Sequence, residues 1–120
     1  MNIGRVGKSG EDMVAAFLRK NGYKIAKRNY SCRFGEIDII AERKEYIVFV
    51  EVKTRKSGSL VSGEEAVNLK KQERIILTAE DYISKTLCEL QPRFDVAVVT
   101  VTKTTDQNES YSLNYIKNAF

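Results

Sequence analysis

The chain has 120 residues, 42% of them hydrophobic and 30% charged, values typical of one soluble globular domain. Histidine is absent and only two cysteines occur, Cys32 and Cys88, which argues against histidine-dependent nucleophilic catalysis, histidine-ligated zinc and a disulfide scaffold. Residues 1–20 lack the apolar core of a signal peptide, and the sequence has no apolar run of the roughly 18 residues that a membrane helix needs. We therefore expect a single cytoplasmic domain over residues 1–120 with no membrane partner.

The net charge of +4 is unevenly distributed along the sequence. Residues 1–34 carry eight basic side chains and two acidic ones. A basic region of this kind suits a polyanionic partner such as nucleic acid. A basic face that is simply solvated explains the same pattern.

The first half of the sequence predicts one helix and three strands. Ser9 is a suitable N-cap for a helix over residues 10–21, which carries an apolar stripe and ends at Asn21-Gly22. The alternation of apolar residues then predicts strands at residues 23–30, 35–42 and 46–54. The short link at residues 43–45 predicts a hairpin between the last two strands.

The second half predicts a helix and two further strands. A flexible loop at residues 56–61 precedes a capping box at residues 62–65, from which a second helix runs to about Leu87. The apolar line expected on this helix contains Leu69, Ile76, Ala79 and Ile83. A buried strand at 94–101 and an edge strand at 111–116 complete an α/β domain of order α-β-β-β-α-β-β.

The most informative tripeptide is Glu51-Val52-Lys53, at the end of a strand that is apolar on both faces. Alternation places Glu51 and Lys53 on one face of this strand. In the preceding strand, alternation places Ile37 and Ile39 on one face and Asp38 on the other. A tight hairpin then sets Asp38 opposite Glu51, with same-face side chains about 5 Å apart.

Two carboxylates at that distance repel each other unless a cation lies between them. Oxygen ligands are what Mg²⁺ requires, and Mg²⁺ takes one or two carboxylates together with waters and phosphate oxygens. A lysine beside such an ion can stabilise negative charge on a phosphate. The spacing alone is equally compatible with Lys53 simply forming ion pairs with Asp38 and Glu51.

Other polar residues extend this candidate site. Glu11 lies at the N-terminal end of the apolar stripe of the first helix, where it either approaches the metal or only suits the helix dipole. Glu36 shares the face of Asp38 and is a peripheral candidate. On the second helix, Gln72 falls in the apolar line and needs a partner. Basic residues of the same helix can bind phosphates or remain solvated, namely Lys70, Lys71 and Arg74.

The segment GEIDIIAERKEYIVFVEVKTR resembles the YraN-like family of uncharacterised bacterial proteins. The resemblance covers nearly the whole chain. It includes Gly10-Glu11, Gly22-Tyr23, Arg28-Asn29, Gly35 to Asp38, Phe49 to Lys53 with Arg55, Ala66-Val67, Lys71 with Arg74, and Arg93 to Val96. This family is similar to the PD-(D/E)xK nuclease superfamily and to archaeal Holliday-junction resolvases.

The resemblance implies a restriction-endonuclease-like core, with a mixed central sheet flanked by helices. It implies metal-binding roles for Asp38 and Glu51, a catalytic role for Lys53, and a role for Glu11 like that of the helix-one glutamate of the resolvases. Gln72 matches a functional polar position of some superfamily members. Ile37 departs from the motif, which has proline before the aspartate.

Three hypotheses follow. The first is a Mg²⁺- or Mn²⁺-dependent nuclease acting on DNA, with Asp38, Glu51 and the Val52 backbone carbonyl as metal ligands and a two-fold homodimer as an attractive assembly for symmetric junctions. The second is a non-catalytic nucleic-acid-binding module, and the third is an interaction domain whose charged cluster is a satisfied ion-pair network. The residues expected to contact nucleic acid are Arg28, Arg55, Lys71, Gln72 and Arg74.

Overall fold

A computed structural model describes residues 3–58, 67–104 and 108–120. Helix α1 (Ile3–Lys20) precedes strands β1 (Lys24–Cys32), β2 (Gly35–Arg43) and β3 (Tyr46–Lys56), and helix α2 (Leu69–Thr86) precedes strands β4 (Gln91–Lys103) and β5 (Glu109–Ile116). This order confirms the predicted α-β-β-β-α-β-β arrangement. Neither helix in these ranges is long and apolar enough to span a bilayer.

The five strands form one mixed sheet in the order β1-β2-β3-β4-β5. Strands β3 and β4 are parallel and joined through α2, whereas the other neighbouring pairs are antiparallel. Arg43 pairs with Tyr46 across the hairpin between β2 and β3, which is the predicted register. Residues 47–50 are buried on both faces, as expected of a central strand.

The sheet is covered by one helix on each face. Val14 and Leu18 of α1 pack against residues of the sheet that include Ile39, Val48 and Val50. On the opposite face, Ile75 and Ala79 of α2 pack against Ile40, Ile47 and Phe49. The result is the mixed sheet between helices that the resemblance implied.

Both helices begin at positions other than those predicted. Helix α1 starts at Ile3, so Ser9 lies within it rather than at its N-cap. The predicted start followed Ser9 as an N-cap, but the helix begins earlier and continues through the glycines at positions 4, 7 and 10 in spite of their low helix propensity. Helix α2 starts at Leu69 with Asn68 as its N-cap, and the predicted capping box at residues 62–65 lies outside the described residues.

The buried face of α2 is also shifted from the predicted line. Ile75, Thr78 and Ala79 are buried, whereas Leu69 is 76% exposed. The prediction followed seven-residue spacing from Leu69. The actual stripe is set by contact with the sheet, and Thr78 enters it because its hydroxyl donates to the Arg74 carbonyl at 2.7 Å.

Helix α1 approaches β3 closely at Gly10. A Cβ atom at this position would come within 2.8 Å of Thr54 Oγ1. Glycine is therefore required here for space rather than for its backbone freedom. The close approach sets the distance between the sheet and the backbone of the next residue, Glu11.

A buried charge, Asp95, ties the C-terminal segment to β4. Asp95 is fully buried and accepts hydrogen bonds from Arg93, from the Tyr115 hydroxyl at 2.6 Å and from the Asn118 backbone N–H at 2.9 Å. Burial and the bond to Asp95 raise the pKa of Tyr115, and the bond to Asp95 raises the pKa of Arg93. The Arg93-to-Asp95 part of the family motif therefore has a structural explanation, because Arg93 pairs with Asp95 and also donates to the Tyr23 hydroxyl within the fold.

Candidate functional site

The antiparallel pairing of β2 with β3 includes residues 39–43 of β2 and stops just short of Asp38. Its last pair is Ile39 with Val50. Beyond it, Asp38 Oδ2 accepts the backbone N–H of Val52 at 2.8 Å, so a side-chain carboxylate takes the place of a backbone partner from β2. The strand is irregular here. Ile37 and Ile39, predicted to share a face, pack in the clusters beneath α2 and α1 respectively.

The same geometry orients the backbone carbonyl of Val52. Within a strand, the N–H and C=O of one residue point to the same side. Since the Val52 N–H points at Asp38, its carbonyl also points to that side, past the end of the β2–β3 ladder. This orientation suits the predicted role of the Val52 carbonyl as a cation ligand.

Glu51 is the innermost acidic residue of the site, with only 7% of its surface exposed. Its Oε1 atom lies 2.8 Å from Lys71 Nζ and 3.5 Å from Lys53 Nζ. A buried carboxylate is costly unless it is paired, and these two ammonium groups supply the pairing. The nearer of the two comes from α2 and was not predicted to contact Glu51.

Asp38 and Glu51 lie in a cleft of about 520 Å³ between the end of the sheet and the first turns of α2. The strands contribute acidic residues to its lining, and α2 contributes basic ones. The acidic residues are Glu36, Asp38 and Glu51, and the basic residues are Lys70, Lys71 and Arg74. The N-terminus of α2, with its partial positive charge, faces the same cleft through Asn68.

The negative charge of Asp38 has little positive charge near it to balance it. Burial, followed by the charges of Glu51, Glu11 and Glu36, raises the pKa of Asp38 to about 7, although the Val52 N–H acts in the opposite direction. Both nearby ammonium groups are engaged with Glu51 instead. A divalent cation beside Asp38 would remove this repulsion between carboxylates.

The two lysines respond differently to this environment. Burial and the neighbouring Lys71 lower the pKa of Lys53. Burial is also the largest influence on Lys71 and acts to lower its pKa, but the hydrogen bonds to Glu51 and Lys53 and the charges of Glu51 and Asp38 together outweigh burial, and the pKa of Lys71 is raised. Lys71 is therefore the more firmly charged partner of Glu51.

The donor set fits a hard cation that keeps part of its water shell. Within the described ranges, no three Cys, Asp or Glu side chains are grouped to hold a metal ion. Two carboxylates and one backbone carbonyl are sufficient for Mg²⁺, which retains several waters and takes phosphate oxygens from its substrate. The residues present therefore fit Mg²⁺ or Mn²⁺.

Two predicted site residues lie on the opposite face of the sheet from α2. Glu11 is half-buried on α1, and Arg28 Nη2 lies 3.7 Å from its Oε1 atom. The same Arg28 nitrogen donates to Asp12 at 2.8 Å. Glu11 is close enough to raise the pKa of Asp38, whereas Arg28, predicted to contact nucleic acid, is paired with acids of α1.

The remaining predicted residues, Arg74, Gln72 and Arg55, lie in three different places. Arg74 lines the cleft, as expected of a residue that binds phosphate. Gln72 instead donates to the Val67 carbonyl at 3.0 Å and lines a separate cavity of about 220 Å³ near the C-terminus. Arg55 is half-buried on β3, two residues beyond Lys53.

The sequence prediction missed the contact between Lys71 and Glu51. Asn68 caps α2, and its side chain accepts the Lys71 backbone N–H at 2.9 Å. Had Asn68 been taken as the cap, Lys71 would have been placed in the first turn. The competing capping signal at residues 62–65 obscured this position.

Comparison with known sequences supports a single family. The sequence profile described as "Uncharacterised protein family UPF0102" matches residues 10–99. The chain is 46% identical over 117 residues to a UPF0102 protein of Clostridium acetobutylicum, covering 97% of this chain and 93% of that one. It is 44% identical over 122 residues to a UPF0102 protein of Caldicellulosiruptor bescii, covering 100% of both chains.

Proposed function

We propose that this chain, which belongs to the uncharacterised protein family UPF0102, is a divalent-cation-dependent nuclease that hydrolyses phosphodiester bonds in DNA. The observation that carries the proposal is the composition of the cleft. Two carboxylates from adjacent strands line it, close enough for the charge of Glu51 to raise the pKa of Asp38, and basic residues of α2 line it as well. Such a site offers separate places for a cation and for the phosphate that the cation would contact.

The residues in and beside the cleft would divide the reaction between cation binding, charge stabilisation and phosphate binding. Asp38, Glu51 and the Val52 carbonyl would hold Mg²⁺ or Mn²⁺, which supplies Lewis acidity and an acidified water when bound. Lys53 directs its ammonium group to the same point and stabilises negative charge that develops on the phosphoryl oxygens. Lys70 and Arg74, both exposed along the cleft, hold the phosphates of the nucleic-acid backbone.

The placement of Glu11 supports a tuning role rather than direct cation binding. It stands on the far face of the sheet, and its charge raises the pKa of Asp38. Glu11 thereby favours occupation of the site by a cation, because neutralising Asp38 by a proton or by a cation relieves the same repulsion. No contact of Glu11 with DNA is required.

A second candidate function is a nucleic-acid-binding module that does not cleave. The observation favouring it is the 2.8 Å ion pair between Lys71 and Glu51, which already neutralises one of the two carboxylates. In that case the cleft would bind phosphates through α2 alone. Branched repair intermediates in the cytoplasm are the expected target in either case, and a two-fold dimer would suit a symmetric junction.

The test is cleavage of labelled four-way junction, flap and single-stranded DNA, with a matched RNA strand alongside. Purified wild-type protein in Mn²⁺ is compared with Glu51→Gln and Lys53→Met, and with Lys44→Met as the control. Lys44 lies in the hairpin turn at the opposite end of β3, so it matches the loss of one lysine without touching the cleft.

We expect wild type and Lys44→Met to cleave DNA equally, and the two cleft variants to lose about 100-fold or more in rate. Chelation with EDTA should abolish cleavage. Retention of full activity by Lys53→Met and Glu51→Gln would place the activity elsewhere. Binding of DNA without cleavage by the wild type would favour the second candidate.

A further inference from the structure

Two ammonium groups converge on a single carboxylate oxygen in the cleft. Lys71 Nζ lies 2.8 Å and Lys53 Nζ lies 3.5 Å from Glu51 Oε1. The nearer group is therefore not the lysine of the Glu51-Val52-Lys53 tripeptide but one that α2 supplies. An ammonium at hydrogen-bond distance uses a lone pair of Glu51 Oε1 that would otherwise be open to a cation.

The backbone of Lys71 is anchored while its side chain remains accessible. Its N–H is held by the Asn68 side chain at 2.9 Å, and the Gln72 N–H is held by the Asn68 carbonyl at 2.9 Å. The Lys71 side chain is 39% exposed, compared with 24% for Lys53. Lys71 can thus move its ammonium group along the cleft without any change in α2.

We propose that the Lys71 ammonium occupies the cation position in the metal-free protein, and that a divalent cation displaces it from Glu51 toward the phosphate of the bound nucleic acid. This inference rests on the proposed function, because it assumes that Asp38 and Glu51 bind the cation. Lys71 is then a positioning residue, which pairs with Glu51 in the metal-free protein and with the phosphate once the cation is bound.

Charge dictates this exchange. A divalent cation on Glu51 would lie within a few ångströms of the Lys71 ammonium, and like charges at that distance repel strongly in a partly buried site. Lys53 is farther from Glu51 and less exposed, so Lys71 is the group that moves. Lys70 and Arg74 already line the cleft, and a displaced Lys71 would join them as a third cation facing the phosphate.

Lys70 provides a matched control. It is adjacent in sequence, lines the same cleft and carries the same charge, but it is exposed. Replacing either lysine by methionine removes one positive charge from the field around the cation position. Only the change at Lys71 also removes the ammonium that competes for Glu51.

The experiment is calorimetric titration of Mn²⁺ into the full-length protein without nucleic acid. The proteins are wild type, Lys71→Met, Lys71→Gln, Lys70→Met and Asp38→Ala. We expect both Lys71 variants to bind Mn²⁺ about tenfold more tightly than wild type, since a charge-assisted contact to Glu51 no longer has to be broken. Lys70→Met should change the Mn²⁺ affinity by less than about threefold, because the charge of Lys70 is exposed and therefore screened by solvent.

Thermal unfolding provides a second readout on the same proteins. Loss of the Lys71 ammonium leaves Glu51 less well paired, so the metal-free Lys71 variants should unfold at a lower temperature than wild type. Saturating Mn²⁺ should raise their midpoints by more than it raises that of wild type.

The outcomes separate this inference from the proposed function. If wild type binds Mn²⁺ and Asp38→Ala does not, but the Lys71 variants bind no more tightly than Lys70→Met, the exchange is wrong and the cation site stands. If wild type binds no Mn²⁺, or binds it as well as Asp38→Ala does, the cation site itself is wrong. Weaker Mn²⁺ binding by the Lys71 variants would also overturn the exchange.

Discussion

At the scale of single residues, Asp95 and Asp38 differ in character, since Asp95 is fully buried and Asp38 is half-buried in the open cleft. Asp95 is fully buried and receives hydrogen bonds from Arg93, Tyr115 and Asn118. Asp38 receives one backbone N–H and is surrounded by other carboxylates. The saturated partners of Asp95 indicate a structural role, whereas an uncompensated carboxylate in an open cleft fits the cation-binding role that we propose for Asp38.

Replacing Asp38 by asparagine should change how stability depends on pH in the presence of EDTA. The folded protein binds the Asp38 proton more tightly than the unfolded chain, with a pKa raised to about 7 from 3.8. The stability from this group is fully present below about pH 4 and is lost as the pH rises through about 7. The asparagine side chain mimics the protonated form of Asp38 and keeps an acceptor for the Val52 N–H.

Asp38→Asn should therefore match wild type near pH 4 and become more stable at pH 8. We expect a gain of about 2 kcal/mol, smaller than a full three-unit shift would give, because Asp38 is partly solvated. Urea unfolding at pH 4, 6 and 8 measures this difference. A difference between the two proteins that stays constant over this range would show that Asp38 is not a raised-pKa group.

Replacing Asp95 by alanine should destabilise the fold strongly. Arg93 would keep a buried charge without its carboxylate, and the Asn118 N–H would lose its acceptor. We expect a loss of about 3–5 kcal/mol in the free energy of unfolding. Tyr115→Phe, which removes one donor only, should cost about 1 kcal/mol. Equal losses for the two variants in urea titrations would contradict the central position of Asp95.

The residue scale also shows what the sequence could not reveal. Alternation and hairpin register were enough to bring Asp38 and Glu51 to the same end of the sheet. The contact of Lys71 with Glu51 depends on where α2 begins and on how it crosses the strand ends. Neither the helix start nor the crossing is encoded in local spacing.

At the scale of elements, prediction was most reliable where geometry is local. The β2–β3 hairpin follows from a short turn between two periodic strands, and Arg43 pairs with Tyr46 as expected. The predicted start of α1 was wrong because Ser9 was taken as its N-cap, whereas the helix already runs through the glycines that precede Ser9. Leu69 was predicted on the buried face of α2 but is exposed, because contact with the sheet, and not the sequence spacing, determines which face is buried.

The packing of α1 on β3 predicts the effect of replacing Gly10 by alanine. Alanine in a helix interior is worth about 1 kcal/mol more than glycine, but its Cβ would meet Thr54 Oγ1 at 2.8 Å. We expect the clash to prevail and Gly10→Ala to lose about 1–2 kcal/mol of stability.

Removing the clashing atom should reverse the sign of this effect. In a Thr54→Ala background, Gly10→Ala should be neutral or stabilising by up to about 1 kcal/mol, since only helix propensity then remains. Chemical denaturation of the four proteins in this double-mutant cycle measures the coupling. Additive effects of the two substitutions would show that α1 is not held at this distance from β3.

At the scale of the whole molecule, a single sheet separates two environments. The α1 face holds the Arg28 ion pairs with Glu11 and Asp12, and the α2 face holds the open cleft. The basic charge of residues 1–34 predicted a polyanion partner, but Arg28 is paired internally. The cationic lining that faces the candidate site comes from α2 instead.

The fold class and the family could be predicted from the sequence because both depend on patterns that extend over the whole chain. The resemblance to YraN-like proteins is confirmed by membership of UPF0102. The chemistry of the cleft depends instead on a few side chains whose meeting is decided by tertiary packing. For that reason it calls for a direct measurement.

The most direct measurement is anomalous diffraction from a crystal soaked in Mn²⁺. We predict one strong peak in the cleft, within roughly 2–2.5 Å of a carboxylate oxygen of Asp38 and of one of Glu51. A peak that contacts neither carboxylate, or a cleft without a peak at a Mn²⁺ concentration that saturates the protein in solution, would contradict a cation site at this end of the sheet.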